Sequence, residues 1–249
     1  MSSAPNLMDP DYSREYGDTY RGHWWWEARE RNALVYVRRA ALSAAGRPRI
    51  LDVGSGDGLM WDRLDEIGEV EGIEPDGAMI DPDSRWRSRI EVADFLDGRP
   101  RPAVYDLVLM LDVLEHIDDD HAALLRARSL LTDTGRLIVT VPALMSLWSE
   151  FDVLNGHHRR YDRAGLRSAL RRAGLEPLDV RYVYTWPVLP LLLRKRFFRL
   201  EQGGRSRFVK APPAPINRLF YYLSCADHWL TRRIRTPFGS SLVAVASLR

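Results

Sequence analysis

The chain has 249 residues, 45% of them hydrophobic and 28% charged, with a formal net charge of +2. These are ordinary values for a globular protein, enough for one sizeable α/β domain with a decorated edge or for two small domains. A single cysteine, Cys225, excludes an internal disulfide and fits a reducing compartment. The longest apolar run, YVYTWPVLPLLL, is too short to span a bilayer and holds two prolines.

The N-terminal MSSAPNLMDPDYSREYGDTY is polar, so no secretory signal is expected and the cytoplasm is the expected location. From residue 24 to 45 the spacing of Leu34, Val37 and Ala41 predicts a helix, with Gly46 as its stop. A strand is expected over 50–53, a helix over 59–67 closed by Gly68, a second strand over 70–74 and a short third over 90–93. YDLVLMLDV, residues 105–113, has the continuous apolar character of a strand buried on both faces of a parallel sheet.

Asp118, Asp119 and Asp120 form the acidic start of a helix running to about Leu131, and Gly135 leads into a fifth strand over 136–141. Asp162 caps a helix that ends at Gly174. A sixth strand follows near 178–185, and SLVAVAS at 241–247 is the last. Alternating strands and helices predict a doubly wound, mainly parallel seven-stranded sheet, Rossmann-like, with an antiparallel final strand. The chain then reads as a single domain: N-terminal lid helices over 1–46, a core over 47–185 and 238–249, and a helical insertion over 186–237.

That insertion is the basic part of the molecule. It carries eleven Arg or Lys residues against Glu201 and Asp227, so the remainder of a chain that is only +2 overall is net acidic. Leu191, Leu192, Phe197 and Phe198 lie beside Arg194, Lys195, Arg196 and Arg199. This composition suits an interfacial helix at the inner face of a membrane, a lid over an amphiphilic acceptor, or a dimer contact.

The stretch ILDVGSGDGLM places Gly54, Gly56 and Gly58 at the end of the first strand. Glycines there let backbone approach a ligand, and the helix beyond offers free N–H groups. A phosphate loop requires a Lys that is missing, and the dinucleotide fingerprint requires one more residue between its last glycines. Asp57 would repel a pyrophosphate but tolerates a ligand with an ammonium group, to which Asp52 is a candidate acceptor. Glu74, twenty residues after Gly54, is placed to accept from ribose hydroxyls. Asp94 and Phe95 follow the third strand, one suited to an adenine amino group and the other to the face of the base.

With LDVGSGDG, GIEPD, ADF, YDLVLMLDVLEHIDD and GRLIVTVP in this order, residues 48–145 resemble the class I S-adenosylmethionine-dependent methyltransferases. HWWWEARER (23–31) and NGHHRRYDRAGLRSALRRAGLE (155–176) resemble a small-molecule branch with a tryptophan-rich N-terminal helix and an H-x-R-R-Y segment. The resemblance implies S-adenosylmethionine held by Asp52, Gly54, Ser55, Gly56, Glu74, Pro75, Asp94, Phe95 and Leu111. It places the final strand between the fifth and sixth, and the methyl group towards a pocket between the N-terminal helix and the segment after the fifth strand.

In that frame Arg29 is expected to bind the cofactor carboxylate while Trp25, one turn away, covers the site. Asp112 is expected near the methyl group. His157 is expected either as general base or acceptor-orienting group, or as part of a cluster anchoring a lid through arginine–acid pairs. HIDDDH, residues 116–121, invites a metal, but none is expected, since its three consecutive acids suit a helix cap and displacement at a sulfonium needs no metal.

The expected activity is methyl transfer to an oxygen or nitrogen of a small molecule: a natural product, a sugar or a lipid-like acceptor. Alternatives are a cyclase-type tailoring reaction on the same fold and, less well matched, a nicotinamide oxidoreductase. Nucleic acid is not an expected partner, because the basic segment has no clear aromatic platform.

Overall fold

The computed structural model describes residues 22–97, 103–197 and 211–249. Seven strands form one sheet: β1 (Arg49–Val53), β2 (Glu69–Glu74), β3 (Ile90–Val92), β4 (Tyr105–Leu111), β5 (Leu131–Pro142), β6 (Leu175–Val183) and β7 (Ser241–Leu248). Their order is β3-β2-β1-β4-β5-β7-β6. The neighbours from β3 to β5 run parallel, and β7 enters antiparallel to both β5 and β6. The order reverses between β1 and β4, and in such sheets the crevice beyond the carboxyl ends of those strands receives the ligand.

Helices cover both faces: α1 (Trp24–Ala41), α2 (Trp61–Asp65), α3 (Asp120–Leu130), α4 (Glu150–Leu154), α5 (Arg163–Arg172), α6 (Val188–Phe197) and α7 (Ala214–Thr231). Ala28, Leu34, Val37 and Ala40 of α1 pack with Trp61 and Leu64 of α2 against Ile50, Leu107, Leu109 and Ile138. Leu124 and Ala127 of α3 and Leu166 and Leu170 of α5 pack on the other face with Leu51, Val108, Met110 and Val139. Alternate residues of one strand thus feed two cores, which is why β4 is apolar throughout.

The elements match the expected ones apart from their ends, and each difference has a local cause. The helix expected over 59–67 is only one turn and a half, because Gly58 takes φ +70° and the chain is still turning at Met60. β5 begins earlier than residue 136, since Leu131 already pairs with Tyr105. β6 starts directly after left-handed Gly174 and stops at Val183, because Tyr184 is itself left-handed with φ 58°. Pro177 is accommodated where the β6–β7 register shifts.

The insertion is helical, as expected, and α7 packs along α1. Asn217 accepts from the Trp24 N–H at 2.9 Å and donates to the Gly22 carbonyl at 2.8 Å. Trp24, Trp186 and Phe220 form a ring cluster with centroids 5.1–5.4 Å apart. α6 lies beside the turn Met145–Leu147 that follows β5. Residues 1–21 of the expected N-terminal lid, and Phe198 and Arg199 of the insertion, lie outside the described residues. Among the described residues no helix is long and apolar enough to cross a membrane.

The floor beneath the glycine loop is tight. A Cβ on Gly72 of β2 would stand 2.6 Å from both Ser55 Oγ and Cζ2 of the fully buried Trp61. Gly72→Ala is therefore expected to lower stability by about 1–3 kcal/mol, the usual scale of overpacking. Urea unfolding measures this; an unchanged midpoint would mean that the loop and Trp61 move aside freely.

Candidate functional site

The loop after β1 is built from three left-handed glycines, Gly54, Gly56 and Gly58, with φ of 68°, 53° and 70°. Position 54 also lacks room for a side chain, since a Cβ there would meet Val113 Cγ2 at 2.6 Å. Position 56 is different: a Cβ would meet only the Met79 methyl, at 4.0 Å, so the backbone there faces open space. Such a surface, next to the switch between β1 and β4, fits the approach of a nucleoside ligand.

Glu74 fastens this loop. One carboxylate oxygen accepts from the Gly56 N–H at 2.9 Å and the other from the Asp76 N–H at 3.0 Å. The Gly54 N–H adds a bond to the Ile73 carbonyl at 2.7 Å. Burial pushes the Glu74 pKa up, and the two N–H groups oppose that shift. Each oxygen keeps a second lone pair, so the clamp is compatible with ribose hydroxyls as further donors. Ser55 is half-buried on the loop and Pro75 exposed beside Glu74.

Three expected residues have other partners as well. Asp52 is buried and accepts from the Trp61 indole N–H at 2.8 Å, so it faces α2, and its expected bond to a ligand ammonium meets a resident donor. Asp94 accepts from the Leu96 N–H at 2.7 Å, which shapes the turn after β3. Phe95 is 4% exposed and packs in the core under the Arg126 guanidinium. Asp57 accepts from the Asp81 N–H at 3.0 Å, tying the loop to the segment after β2.

At the end of β4 the structure brings four expected residues together. Arg29 forms an ion pair with Asp112 and stacks over Trp25, its guanidinium carbon 5.1 Å from the ring centroid. Leu111 packs into the same cluster as Trp25. Asp112 has φ 58°, and its second oxygen is buried without a hydrogen-bond partner among the described residues. The Trp25 ring also meets Tyr184, centroids 5.0 Å apart, so α1 closes over the β4 end on an aromatic contact. The mutual pairing of Arg29 and Asp112 had no signal in the sequence.

Beyond β5 the chain folds around Asp152, which is fully buried. It accepts from the Ser149 N–H at 2.8 Å and from the forked Arg160 guanidinium at 2.7 and 2.9 Å, and it bonds the His157 Nδ1 at 2.9 Å. Burial alone would raise its pKa, but His157 and Arg160 outweigh that and hold it at about 2. Arg159 bonds the Ile117 and Asp118 carbonyls, and the Tyr161 hydroxyl donates to Asp120 at 2.8 Å. Asp119 caps α3 by accepting from the Ala122 N–H. Arg159 and Tyr161 therefore anchor the segment to the acids around the start of α3, Arg160 ties Asp152 to the Ala143 carbonyl, and His157 is the member left facing inward.

It faces Glu115, which the sequence did not single out, and His116, the first residue of the run HIDDDH. Glu115 is 1% exposed, and burial drives its carboxyl up to about 8 against the opposing pull of its own backbone N–H, Arg29 and Arg160. Burial likewise lowers His116 to about 4, assisted by His157. One signal was available, an acid and a histidine directly after the strand-end Asp112. Asp152 had none, because its importance comes from being buried.

The comparisons agree with this geometry. A family model described as a methyltransferase domain matches residues 25–180. A ubiquinone biosynthesis O-methyltransferase of Bradyrhizobium diazoefficiens is 28% identical over 155 residues, covering 51% of this chain and 59% of that protein. One from Xylella fastidiosa is 29% identical over 222 residues, covering 72% and 85%. The chain thus spans about 59% of the length of the first of these relatives and more of the second. A SAM-dependent methyltransferase structure from Archaeoglobus fulgidus superposes with a TM-score of 0.58 at 17% identity, over 95% of this chain and all of that one.

The buried Asp52 gives a pH signature. Burial raises its pKa from 3.8 to about 7, against the Trp61 hydrogen bond. Its contribution to stability is full below the ordinary carboxylate pKa and is lost as pH rises through about 7. Asp52→Asn, permanently neutral and still able to accept from Trp61, should match the wild type near pH 4. At pH 8 it should be more stable, by on the order of 1–4 kcal/mol. Urea titrations at the two pH values measure this, and a variant no more stable at pH 8 would mean that Asp52 ionises freely in the fold.

Proposed function

The chain belongs to the methyltransferase-domain family, and from that premise we propose that it transfers a methyl group from S-adenosylmethionine to an oxygen of an amphiphilic small molecule. The observation that carries the reading is the loop of left-handed glycines held open by Glu74, beside the Arg29–Asp112 pair at the end of β4.

In this reading Glu74 accepts from the ribose hydroxyls, Asp94 serves the adenine amino group, and the backbone at Gly54, Ser55 and Gly56 lines the cofactor. Pro75 and Leu111 flank it. Arg29, held by Asp112 and stacked on Trp25, presents its remaining N–H groups to the cofactor carboxylate. The transfer is an in-line displacement. An acceptor oxygen lone pair attacks the methyl carbon, the carbon–sulfur bond breaks with its electrons staying on sulfur, and the acceptor's proton is lost. The leaving group is a neutral thioether, so the protein's work is alignment and handling of that proton. His157, oriented by Asp152, is the group on the acceptor side.

Oxygen as the acceptor atom is favoured by the curated relatives, which are named O-methyltransferases. An amphiphilic acceptor is favoured by the insertion. Leu189, Leu192, Leu193, Ile216 and Leu219 of α6 and α7 are exposed, with Arg218, Arg232, Arg233 and Arg235 nearby in the chain. A surface of this kind suits a molecule with an apolar tail or an anionic lipid interface that presents it.

Calorimetry with S-adenosylhomocysteine tests the cofactor reading. Saturable binding is expected for the wild type, with none for NAD. Glu74→Ala should weaken binding by about 1–3 kcal/mol through the lost hydrogen bonds and the loosened loop. Binding of NAD in place of the adenosyl ligand would overturn the assignment, and unchanged affinity in the variant would remove Glu74 from the site. For the insertion, co-sedimentation with anionic vesicles should exceed that with neutral ones and fall as salt rises. Equal sedimentation with both would leave no role for its charge.

A further inference from the structure

We infer that Glu115, His116 and His157 form a binding site for one divalent transition-metal ion of the imidazole-preferring class, with zinc as its representative. One ligand atom from each of the three residues lies within 4.8 Å of the other two. They come from two separate stretches of chain, the turn after β4 and the segment after α4, brought together by the Arg159 bond to the Ile117 carbonyl and the His158 N–H bond to the Glu115 carbonyl.

The first support is Glu115. Neither of its carboxylate oxygens has a hydrogen-bond partner among the described residues, although the side chain is almost wholly inside. A buried carboxylate without donors is strongly disfavoured in its charged form. A cation between it and the two imidazoles offsets that penalty, which its own backbone N–H and the nearby Arg29 and Arg160 only partly oppose.

The second support is how the histidines are held. His157 Nδ1 is engaged by Asp152, which leaves Nε2 for a ligand. The His116 ring meets the His157 ring edge-on, with centroids 4.6 Å apart and planes at 88°. Metal-binding histidines characteristically give their other ring nitrogen to a carboxylate or a backbone carbonyl, which fixes tautomer and orientation. Two imidazoles and one carboxylate suit zinc or iron(II) better than magnesium or calcium, and leave positions open to another ligand.

The site differs from the acidic run Asp118–Asp120, which caps α3 and pairs with Arg159 and Tyr161. It stands three residues beyond Asp112, within electrostatic reach of Arg29. Its role rests on the methyl-transfer reading, in which an ion there would bind the acceptor oxygen and lower the pKa of its hydroxyl. Binding of the ion itself does not depend on that reading.

The test uses the full chain, free of any histidine tag and stripped with a chelator. Zinc chloride is titrated by calorimetry and cobalt(II) is followed by its visible absorption, with S-adenosylhomocysteine binding measured in parallel. The wild type should bind one zinc per chain, and cobalt should give ligand-field bands. Glu115→Gln, nearly isosteric, and His116→Ala should each weaken zinc binding at least ~10-fold while circular dichroism stays native. A wild type that binds S-adenosylhomocysteine but neither metal overturns the inference and leaves the methyl-transfer reading standing. Zinc binding undiminished in Glu115→Gln also overturns it, by placing the ion elsewhere. Zinc bound by the wild type with no S-adenosylhomocysteine binding keeps the site and removes the reading.

Discussion

The bond from the Gly56 N–H to the Glu74 carboxylate sets the shape on which the ligand crevice depends. It joins the loop after β1 to the end of β2 and fixes the backbone of a stretch in which three of five residues are glycine. Left-handed glycines cost conformational entropy on folding, and an unpaired loop of this kind would fray. Glu74 offsets that by accepting from Gly56 and Asp76 together, while the Ile73 carbonyl takes the Gly54 N–H. The ordered loop can then present its open face at Gly56 before any ligand arrives.

Four buried carboxylates organise the rest, and each is stabilised differently. Glu74 uses backbone donors and Asp52 an indole. Asp152 draws on a guanidinium, an imidazole and a helix-capping N–H, enough to stay charged in a dry environment. Neither Glu115 oxygen has a hydrogen-bond partner among the described residues, and the pull of its own backbone N–H and of Arg29 and Arg160 does not offset its burial. In a low-dielectric interior such differences are worth more than any surface ion pair. Three of these acids lie near the carboxyl ends of β1, β2 and β4, and the fourth in the segment after β5. The charge economy of the molecule is thus concentrated at one edge of the sheet.

The other side of the crevice is aromatic. Trp24, Trp25, Tyr184, Trp186 and Phe220 join α1, the end of β6 and α7 into one packed wall. Asn217 pins the start of α1 to α7, so the insertion braces the N-terminal helix. Rings of this size bury large apolar area with few torsions to freeze, which suits a wall that holds its shape. The outer faces of α6 and α7 remain apolar and exposed.

The sequence alone determined the sheet, its winding and the place of the glycine loop. Those follow from local rules: apolar runs such as YDLVLML can only be buried on both faces, and Gly54, Gly56 and Gly58 are spaced for a turn at a strand end. Strand ends were less legible, because β6 stops where Tyr184 turns left-handed and β5 starts where Leu131 finds Tyr105. Glu74 and Arg29 were legible as candidates because their position after a strand or on a helix limits what they can reach. Only the tertiary structure decided that Arg29 pairs with Asp112, that Phe95 belongs to the core, and that Asp152 links His157 to Arg160. These residues are far apart in the chain or surrounded by polar neighbours, so no periodicity marks them. Their chemistry comes from burial and from partners that meet only when the sheet edge and the segment after β5 close on one another.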